Sequence, residues 1–353
     1  MTDKEFGAYI TQLINRSDLS RAQTTACFVD IMENVQTDMQ QGAFLAALTA
    51  KGETAEEIAA AWQVIYDLDT VKVDVNTSSP LVENCGTGMD GVKTFNISTA
   101  ASIIAASDGV PMAKHGARAI TSACGTVDIM EELGVNVECT PDTVRRSIES
   151  AGIGMFNGMS PLVHPTALGR ILSQISFGTV LNIAASLANP ALPRLAVRGV
   201  YAPSLLAPTA QIMKEIGYNR ALVVCGQGEA GAGDTVAYID EASTMGPSWI
   251  CELSDDGQIT EYEIHPEEYG ISRPHTEDLL MTGDISGEAT RMRGLLRGSE
   301  AQARLDIACL NSGLILYLAG WQPTIQAGFV RAQELINSDK PTERLGAWVE
   351  AQQ

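Results

Sequence analysis

The first seventy residues carry apolar side chains at the three- and four-residue spacing of helix faces. Gly52 can close one helix, and Thr54, with Glu57 three residues later, forms the capping-box pattern that starts the next. The apolar positions of this stretch include Phe44, Leu45, Leu48, Ile58, Ala61, Trp62 and Ile65. This pattern predicts several helices joined by short connections.

From about residue 80, short apolar segments, glycine turns and helices alternate, which is typical of an α/β domain with a mostly parallel sheet. We predict a small all-helical domain at 1–75, with a return segment at about 167–190, and a larger α/β domain at 76–166 and 191–353. A helix is expected through 101–106, and 167–189 reads as helical. The predicted strands are 81–85, 110–113, 195–200, 221–225, 249–253 and 261–264.

Charge narrows the choice of partners. The 353 residues include 43 acidic and 23 basic side chains, a net charge of −20 that disfavours nucleic acid and anionic membranes. An anionic ligand must therefore be captured by a local group of donors. The seven cysteines form no C-x-x-C pair, and we find no signal peptide and no span of the ~20 apolar residues that a membrane helix needs. We expect a cytoplasmic protein.

The strongest local motif is ENCGTGMDGVKTFNISTAASIIAAS at 83–107. A predicted strand enters a glycine loop, and a helix opens near Asn96. Glycines allow a ligand to approach the backbone, and the unpaired N–H groups of a helix start attract anions. The motif matches neither a dinucleotide fingerprint nor a Walker loop. It indicates a phosphate or pyrophosphate site, and an ordinary glycine turn with a helix cap is the alternative.

Two further clusters add charge. AKHGARAITSACGTVD at 113–128 places Lys114, His115 and Arg118 within five residues, beside small hydroxyl and glycine residues. That composition suits a phosphate cradle, and a solvated basic turn is the alternative. Asp240 and Glu241 are adjacent acids at a predicted strand end, and paired carboxylates suit Mg²⁺ that also bridges substrate phosphates.

The order of these pieces resembles the anthranilate phosphoribosyltransferase family of the tryptophan pathway. The resemblance covers about residues 5 to 345 and rests on GAFLAALTAKGETAEEIA, GTGMDGVKTFNIST, KHGARAITSACGTVD, EELGVNV and the Asp240–Glu241 pair. It implies a nucleoside phosphorylase/phosphoribosyltransferase-like fold and a homodimer formed through the helical domain. It also implies Mg²⁺-dependent transfer of phosphoribose from phosphoribosyl pyrophosphate (PRPP) to an aromatic amine, most simply anthranilate.

The resemblance also assigns residues. It implies that PRPP binds at Gly86, Thr87, Gly88, Asp90, Asn96, Ser98, Thr99, Lys114 and Ser122. Mg²⁺ would be held by Ser98, Asp240 and Glu241, and the acceptor by His115, Ala117, His164 and Arg170. Departure of pyrophosphate builds negative charge on the leaving group and positive charge on the ribose, so charge stabilisation and positioning supply the catalysis. No covalent nucleophile is expected.

The residues that the resemblance assigns to the acceptor, and the segments around them, depart from the family pattern. Ala117 stands where the family has an asparagine, and Met89 where it has a second glycine. The family's carboxylate-binding arginine has no counterpart near Leu172, and Arg170 lies two positions earlier. The segment before His164, MFNGMSPLVHP, is two residues longer, and 227–238 contains an insertion rich in glycine and alanine. Two alternatives therefore stand beside anthranilate transfer: a paralogue with a different aromatic amine or nitrogen heterocycle as acceptor, and a non-catalytic paralogue that binds a ligand or nucleic acid.

Overall fold

The N-terminal part of the chain folds as four helices. A computed structural model describes residues 1–88, 91–118, 125–175, 177–230, 236–281 and 283–353. The first four helices are α1 (Asp3–Ile14), α2 (Arg21–Met32), α3 (Asp38–Lys51) and α4 (Ala55–Asp69). Thr54 caps α4 in a reciprocal capping box with Glu57, and Gly52 closes α3 with a positive φ of 89°, as the sequence predicts.

One sheet of eight strands forms the centre of the larger part. Its strands are β1 (Val82–Cys85), β2 (Met112–Gly116), β3 (Ile153–Asn157), β4 (Leu195–Gly199), β5 (Arg220–Ala230), β6 (Val236–Ile239), β7 (Ser248–Leu253) and β8 (Ile259–Ile264). The spatial order is β3-β2-β1-β4-β5-β7-β8, and β6 pairs with β5 off this path. The pairs from β3 to β5 are parallel, whereas β6, β7 and β8 run antiparallel to their neighbours. The sheet is therefore mixed, with a parallel half.

The remaining helices cover the two faces of this sheet. They are α5 (Ile97–Ser107), α6 (Thr126–Glu132), α7 (Pro141–Ala151), α8 (Leu168–Leu172), α9 (Val180–Ser186), α10 (Leu206–Ile216), α11 (Thr276–Leu279), α12 (Ile285–Leu295), α13 (Gln302–Leu318), α14 (Ile325–Ile336) and α15 (Lys340–Ala351). Short 3₁₀ turns occupy Pro203–Leu205 and Pro266–Tyr269. No helix among the described residues is long and apolar enough to cross a membrane.

Alternate residues of each central strand enter different cores. Val197 and Val224 face a core built largely with α5, α13 and α14. Ala196 and Val223 face a second core that also contains the apolar residues of α1–α4, α8, α9 and α10. The N-terminal helices therefore pack, together with α8 and α9, onto one side of the sheet. This arrangement confirms the predicted fold class, and the domain bounds at 75/76 and 166/167 stay a prediction.

Most predicted elements are present, with three differences. β3 was missed, because Ile153–Asn157 is short and contains a glycine. β6 was expected only as the strand end before Asp240, because most of Val236–Ile239 lies inside the apparent insertion. The segment 167–189 holds two short helices rather than one, with Ser173 at the end of α8 and Thr179 capping α9. The insertion itself builds much of a hairpin, since Gly226 pairs with Ile239 and Gln227 with Tyr238.

Candidate active site

The candidate site lies where the parallel strands end. β1 runs directly into the glycine loop that begins at Gly86, and β2 ends at Gly116. β4 ends at Gly199, beside the main chain of Asp240. Because the strands are parallel, these ends meet at one edge of the sheet, which is where open α/β sheets bind ligands.

The carboxylate of Asp240 lies against the glycine loop. Its Oδ2 accepts a 2.6 Å hydrogen bond from the Gly88 N–H and a 3.0 Å hydrogen bond from the Thr87 hydroxyl. Asp240 is only 8% exposed. Hydrogen bonds to a buried carboxylate are charge-assisted and therefore strong. The structure thus brings together two motifs that the sequence separates by 152 positions.

Two glycines are required for this approach. A Cβ added to Gly86 would lie 2.5 Å from Asp240 Oδ2, and one added to Gly199 would overlap the Asp240 carbonyl oxygen. Gly88 adopts a φ of +67°, in the left-handed region that disfavours side chains. The glycines of GTG therefore serve the contact with Asp240 as well as backbone access for a ligand.

The start of α5 lies next to the strand that leads into this loop, since the Asn84 side chain donates to the Ser98 carbonyl at 3.0 Å. Asn96 occupies the N-cap position, and its side chain makes no capping hydrogen bond. Thr99 is fully buried, and its hydroxyl has no hydrogen-bond partner among the residues that the structure describes. Ser98 is half-buried in the first turn. Uncapped N–H groups and the helix dipole favour an anion at this end of the 11-residue helix.

Lys114 is buried next to the strand that leads into the glycine loop. Its Nζ donates to the Asn84 carbonyl at 2.9 Å and to the Ser102 hydroxyl at 3.2 Å, which links β2 to β1 and α5. Burial lowers the pKa of Lys114, and the nearby Cys85, Glu241 and Glu83 partly oppose that shift. An ammonium group has three donors, and these contacts use two of them. A phosphate in the loop would supply a partner of opposite charge.

Two neutral histidines lie close together next to this edge. The rings of His115 and His164 are 5.7 Å apart between centroids, and both side chains are buried. Burial, with a smaller contribution from His164, lowers the pKa of His115 to about 3. Burial also lowers the pKa of His164. Neither Nε2 atom has a hydrogen-bond partner in the described part of the chain.

The tautomer of His164 follows from its surroundings. Its Nδ1 lies 2.9 Å from the carbonyl oxygen of Asp69. A carbonyl oxygen only accepts, so Nδ1 carries the proton and Nε2 presents a lone pair. The backbone of Ser186 lies close enough to His115 to raise the pKa of its ring, against the larger lowering by burial. The pair offers acceptors to a ligand that carries N–H donors.

Two arginines that the sequence suggested for ligand contacts are engaged elsewhere. Arg170 donates to the Ile31 carbonyl at 2.8 Å and to the Gln41 side chain at 3.1 Å, so its guanidinium binds the N-terminal helices. Arg118 is exposed and forms ion pairs with Asp128, Glu131 and Glu138 on and beyond α6. The structure therefore does not bring either guanidinium to the histidines or to the glycine loop.

The structure describes only some of the remaining predicted site residues. Ala117 follows β2, and its carbonyl accepts from the Val127 N–H at 3.3 Å. Glu241 is half-buried and close enough to Lys114 to raise the pKa of that lysine. Asp90, Ser122 and Met89 lie outside the described residues, as do 231–235 of the insertion.

Comparisons with known proteins agree with this architecture. Residues 8–68 match the helical bundle domain and 78–341 the a/b domain of a glycosyl transferase family. Anthranilate phosphoribosyltransferase from Desulfotalea psychrophila is 35% identical over 96% of this chain and 95% of its own length. The Haloarcula marismortui enzyme of that name is 36% identical over 96% and 97%.

The chain belongs to the anthranilate phosphoribosyltransferase family.

Solved structures of anthranilate phosphoribosyltransferases share the whole fold. The Thermus thermophilus enzyme superposes with a TM-score of 0.85 at 30% identity, covering 97% of this chain and 98% of its own. The Saccharomyces cerevisiae enzyme in complex with PRPP and Mg superposes with a TM-score of 0.82 at 20% identity, covering 99% and 98%. The resemblance seen in the sequence motifs is therefore confirmed.

The structure also buries a charged residue that the sequence reasoning did not consider, Arg198. This arginine lies in β4, is 4% exposed, and donates from Nη2 to the Ser186 hydroxyl at 2.6 Å. The available signal was a single charged residue inside the apolar strand LAVRGV. Charged side chains are rarely fully buried without a partner, so such an interruption of a strand pattern indicates a site or an ion pair.

Proposed function

We propose that this protein transfers phosphoribose from PRPP to the amino group of anthranilate, with Mg²⁺, in tryptophan biosynthesis. We assign the reaction for which the relatives are named to the site described above. PRPP would occupy Gly86, Thr87, Gly88, the first turn of α5 and Lys114, with Asp90 and Ser122 as further contacts from the sequence resemblance. The acceptor would lie beside His115 and His164.

One observation carries the proposal: the hydrogen bonds from Gly88 and Thr87 to Asp240. A phosphate-binding loop and a metal-binding carboxylate are both needed to bind a pyrophosphate with its metal. Here they are in direct contact, although they come from distant parts of the chain. The site thus has the two components that handle an anionic leaving group.

The donor set fits magnesium. Asp240, Glu241 and the Ser98 hydroxyl offer hard oxygen ligands, which Mg²⁺ prefers. No group of three or more His, Cys, Asp or Glu side chains within the described ranges is arranged to hold a metal. Mg²⁺ commonly takes one or two carboxylates and completes its shell with water and substrate phosphates, so this sparse set suits a metal that arrives with PRPP. When bound, the ion would neutralise charge on the departing pyrophosphate.

The reaction balances without a covalent enzyme intermediate. The anthranilate nitrogen forms a bond to ribose C1, and the bond from C1 to the pyrophosphate oxygen breaks with its electron pair leaving on pyrophosphate. The nitrogen then loses one proton. Lys114 and the N–H groups of the α5 start would stabilise the leaving group, and the Nε2 lone pair of His164 would accept a hydrogen bond from the amine.

A homodimer formed through the helical part is included in the proposal. Several large apolar side chains of the N-terminal helices and the α8–α9 segment are solvent-exposed in the single chain. Met39 is 86% exposed, Val35 54% and Phe177 50%. Exposed apolar residues on one unit support a protein contact there. Location in the cytoplasm stays a prediction from the sequence.

A second candidate acceptor deserves a test because of two observations. Ala117 offers no side-chain amide, and Arg170 is held by Ile31 and Gln41. A paralogue that uses another aromatic amine or a nitrogen heterocycle would fit the same PRPP half of the site.

The deciding experiment measures pyrophosphate release from PRPP and Mg²⁺ with anthranilate and with a panel of aromatic amines and heterocycles. Release that requires anthranilate supports the proposal. PRPP binding with release only on another acceptor would replace anthranilate, and absence of PRPP binding would overturn the assignment to this site.

A further inference from the structure

Arg198 is a buried cation, and the nearby carboxylate of Glu83 is engaged by two other side chains. Its Nη2 donates to Ser186, and its Nη1 has no hydrogen-bond partner within the described residues. Glu83 is close enough for Arg198 to lower its pKa, although burial raises it overall. The Glu83 oxygens accept from the Asn189 side chain at 3.0 Å and from the Tyr218 hydroxyl at 3.3 Å. A buried guanidinium with a free N–H is costly unless an anion completes it.

The position of Arg198 in the sheet places it next to the histidines. Arg198 of β4 pairs with Cys85 of β1, and Val82 of β1 pairs with Met112 of β2. Continued along β2, that register brings Cys85 level with His115. His115, Cys85 and Arg198 therefore form a row across three strands on one face, with the small cysteine between the two long side chains.

The two outer members of this row converge on one residue. The Ser186 backbone is close enough to His115 to raise the pKa of that ring, and Arg198 donates to the Ser186 hydroxyl at 2.6 Å. The unpartnered atoms His115 Nε2, His164 Nε2 and Arg198 Nη1 are all enclosed by protein. They combine two lone-pair acceptors with one cationic donor. An aromatic ring that bears an amine and an adjacent carboxylate has the complementary groups.

We infer that Arg198 binds the carboxylate of the acceptor and thereby selects an amino acid of the anthranilate type. The inference rests on the proposed function. Cys85 directly precedes Gly86, so an acceptor held over this row adjoins the loop that holds PRPP. Arg198 is a specificity residue, and it contacts the carboxylate next to the reacting amine rather than the amine itself.

Equilibrium binding tests the inference separately from turnover. Anthranilate fluorescence measures its Kd for the protein loaded with PRPP and Mg²⁺, and 2-aminobenzamide is the neutral probe of the same shape. We expect the unmodified protein to bind anthranilate at least about tenfold more tightly than the amide, since an ion pair that is enclosed and hydrogen-bonded is strong. Equal binding of the two probes would overturn the inference without any variant.

Variants of Arg198 test whether this residue causes the preference for anthranilate over 2-aminobenzamide. Arg198→Leu should remove it, and Arg198→Lys should keep part of it, because a lysine retains the charge without the planar donor pair. Arg194→Leu is the matched control: this arginine lies just before the same strand and donates to the Ile216 and Gly217 carbonyls at the opposite edge of the sheet. PRPP affinity, unchanged in each variant, reports that the fold is intact.

The outcomes separate the two ideas. A preference that survives Arg198→Leu and Arg198→Lys, or that disappears only in Arg170→Leu, would overturn the inference and leave the proposed function standing. Binding that depends on Arg198 but releases no pyrophosphate with anthranilate would support the carboxylate site and contradict the proposed reaction. No anthranilate binding by the unmodified protein would overturn both.

Discussion

The Gly88 N–H donates a 2.6 Å hydrogen bond to the Asp240 carboxylate, so an anion of the protein itself occupies the glycine loop. The loop amide that would hold a pyrophosphate oxygen and the carboxylate that would hold Mg²⁺ thus satisfy each other. When PRPP and Mg²⁺ bind, the hydrogen bond between Gly88 and Asp240 must be replaced by two new contacts. The loop amide then binds PRPP, and the carboxylate binds Mg²⁺. The account therefore predicts that substrate and metal bind cooperatively, since each frees the partner of the other.

Cooperative binding is measurable by calorimetry. Mg²⁺ alone should bind weakly, and its affinity should rise by at least about fivefold when PRPP is present, the lower end of ordinary coupling between sites. The same factor should appear in PRPP affinity when Mg²⁺ is added, because coupling is reciprocal. Equal Mg²⁺ affinity with and without PRPP would contradict the exchange of partners at Asp240.

The acidic pair is expected to be essential for turnover. Asp240→Ala combined with Glu241→Ala removes the carboxylate ligands of the proposed metal site, so pyrophosphate release from PRPP should be abolished. Steady-state assays at several Mg²⁺ concentrations check this. The matched control is Asp255→Ala with Asp256→Ala, an exposed acidic pair in the turn between β7 and β8. Normal turnover in the Asp240/Glu241 variant would refute the metal assignment.

Gly86→Ala should inactivate the enzyme while leaving it folded. The added methyl group would lie 2.5 Å from Asp240 Oδ2, so the carboxylate must move. A displacement of about 1 Å in a positioned group can lower the rate by about 100-fold, and we expect a loss in kcat of that order. Gly346→Ala is the control, because nothing lies within 4 Å of its Cβ position. A Gly86→Ala enzyme with unchanged kcat would show that the close approach has no role in catalysis.

Lys114 is expected to act on PRPP rather than on the acceptor. Lys114→Ala removes the buried ammonium beside Asn84 and Ser102 and should weaken PRPP binding at least about tenfold, the range for a hydrogen bond to a charged group. The KM for the acceptor should change much less. Thermal unfolding of the variant separates loss of the fold from loss of affinity. Equal weakening of both substrates would refute the phosphate role.

Protonation of the buried histidines should destabilise the fold in mild acid. The pKa of His115 falls to about 3 and that of His164 is also lowered, so the unfolded chain binds more protons below the ordinary histidine pKa of about 6.5. The free energy of unfolding therefore decreases as the pH falls from about 6.5 towards 3. His115 contributes at most about 1.4 kcal/mol per pH unit.

Urea unfolding at pH 7.5 and 5.5 measures this dependence. His115→Gln should flatten it. His275 provides a control with the opposite pH dependence. A hydrogen bond to Glu229 raises the pKa of His275, so its contribution to the free energy of unfolding is present at low pH and is lost as the pH rises. An unchanged pH dependence in His115→Gln would contradict burial of a neutral imidazole at that position.

The sequence motifs contain most of the residues that we propose for PRPP and few of those that we propose for the acceptor, for a physical reason. Glycine loops, helix starts and acidic pairs are local patterns, so Gly86, Asn96 and Asp240 can be found one motif at a time. The contact that joins Gly88 to Asp240 depends on strand order, which no local pattern specifies. Likewise the extent of β6 was hidden because most of the strand lies inside an apparent insertion.

The proposed acceptor contacts come from side chains scattered over several elements. Arg170 was suggested because it lies near the expected position in the chain, yet its guanidinium turns towards Gln41 and Ile31. Arg198 was overlooked because a residue inside a strand is first assigned to the core. Only the sheet register places it in the same row as His115, and that register cannot be deduced from the spacing of residues along the chain.

The most direct test of the central claim follows anthranilate fluorescence and pyrophosphate together in one reaction with PRPP and Mg²⁺. The account predicts that fluorescence falls with time, that one pyrophosphate appears for each anthranilate consumed, and that both stop when PRPP or Mg²⁺ is omitted. Pyrophosphate release without loss of anthranilate, or stable anthranilate fluorescence in the presence of bound PRPP, would contradict it.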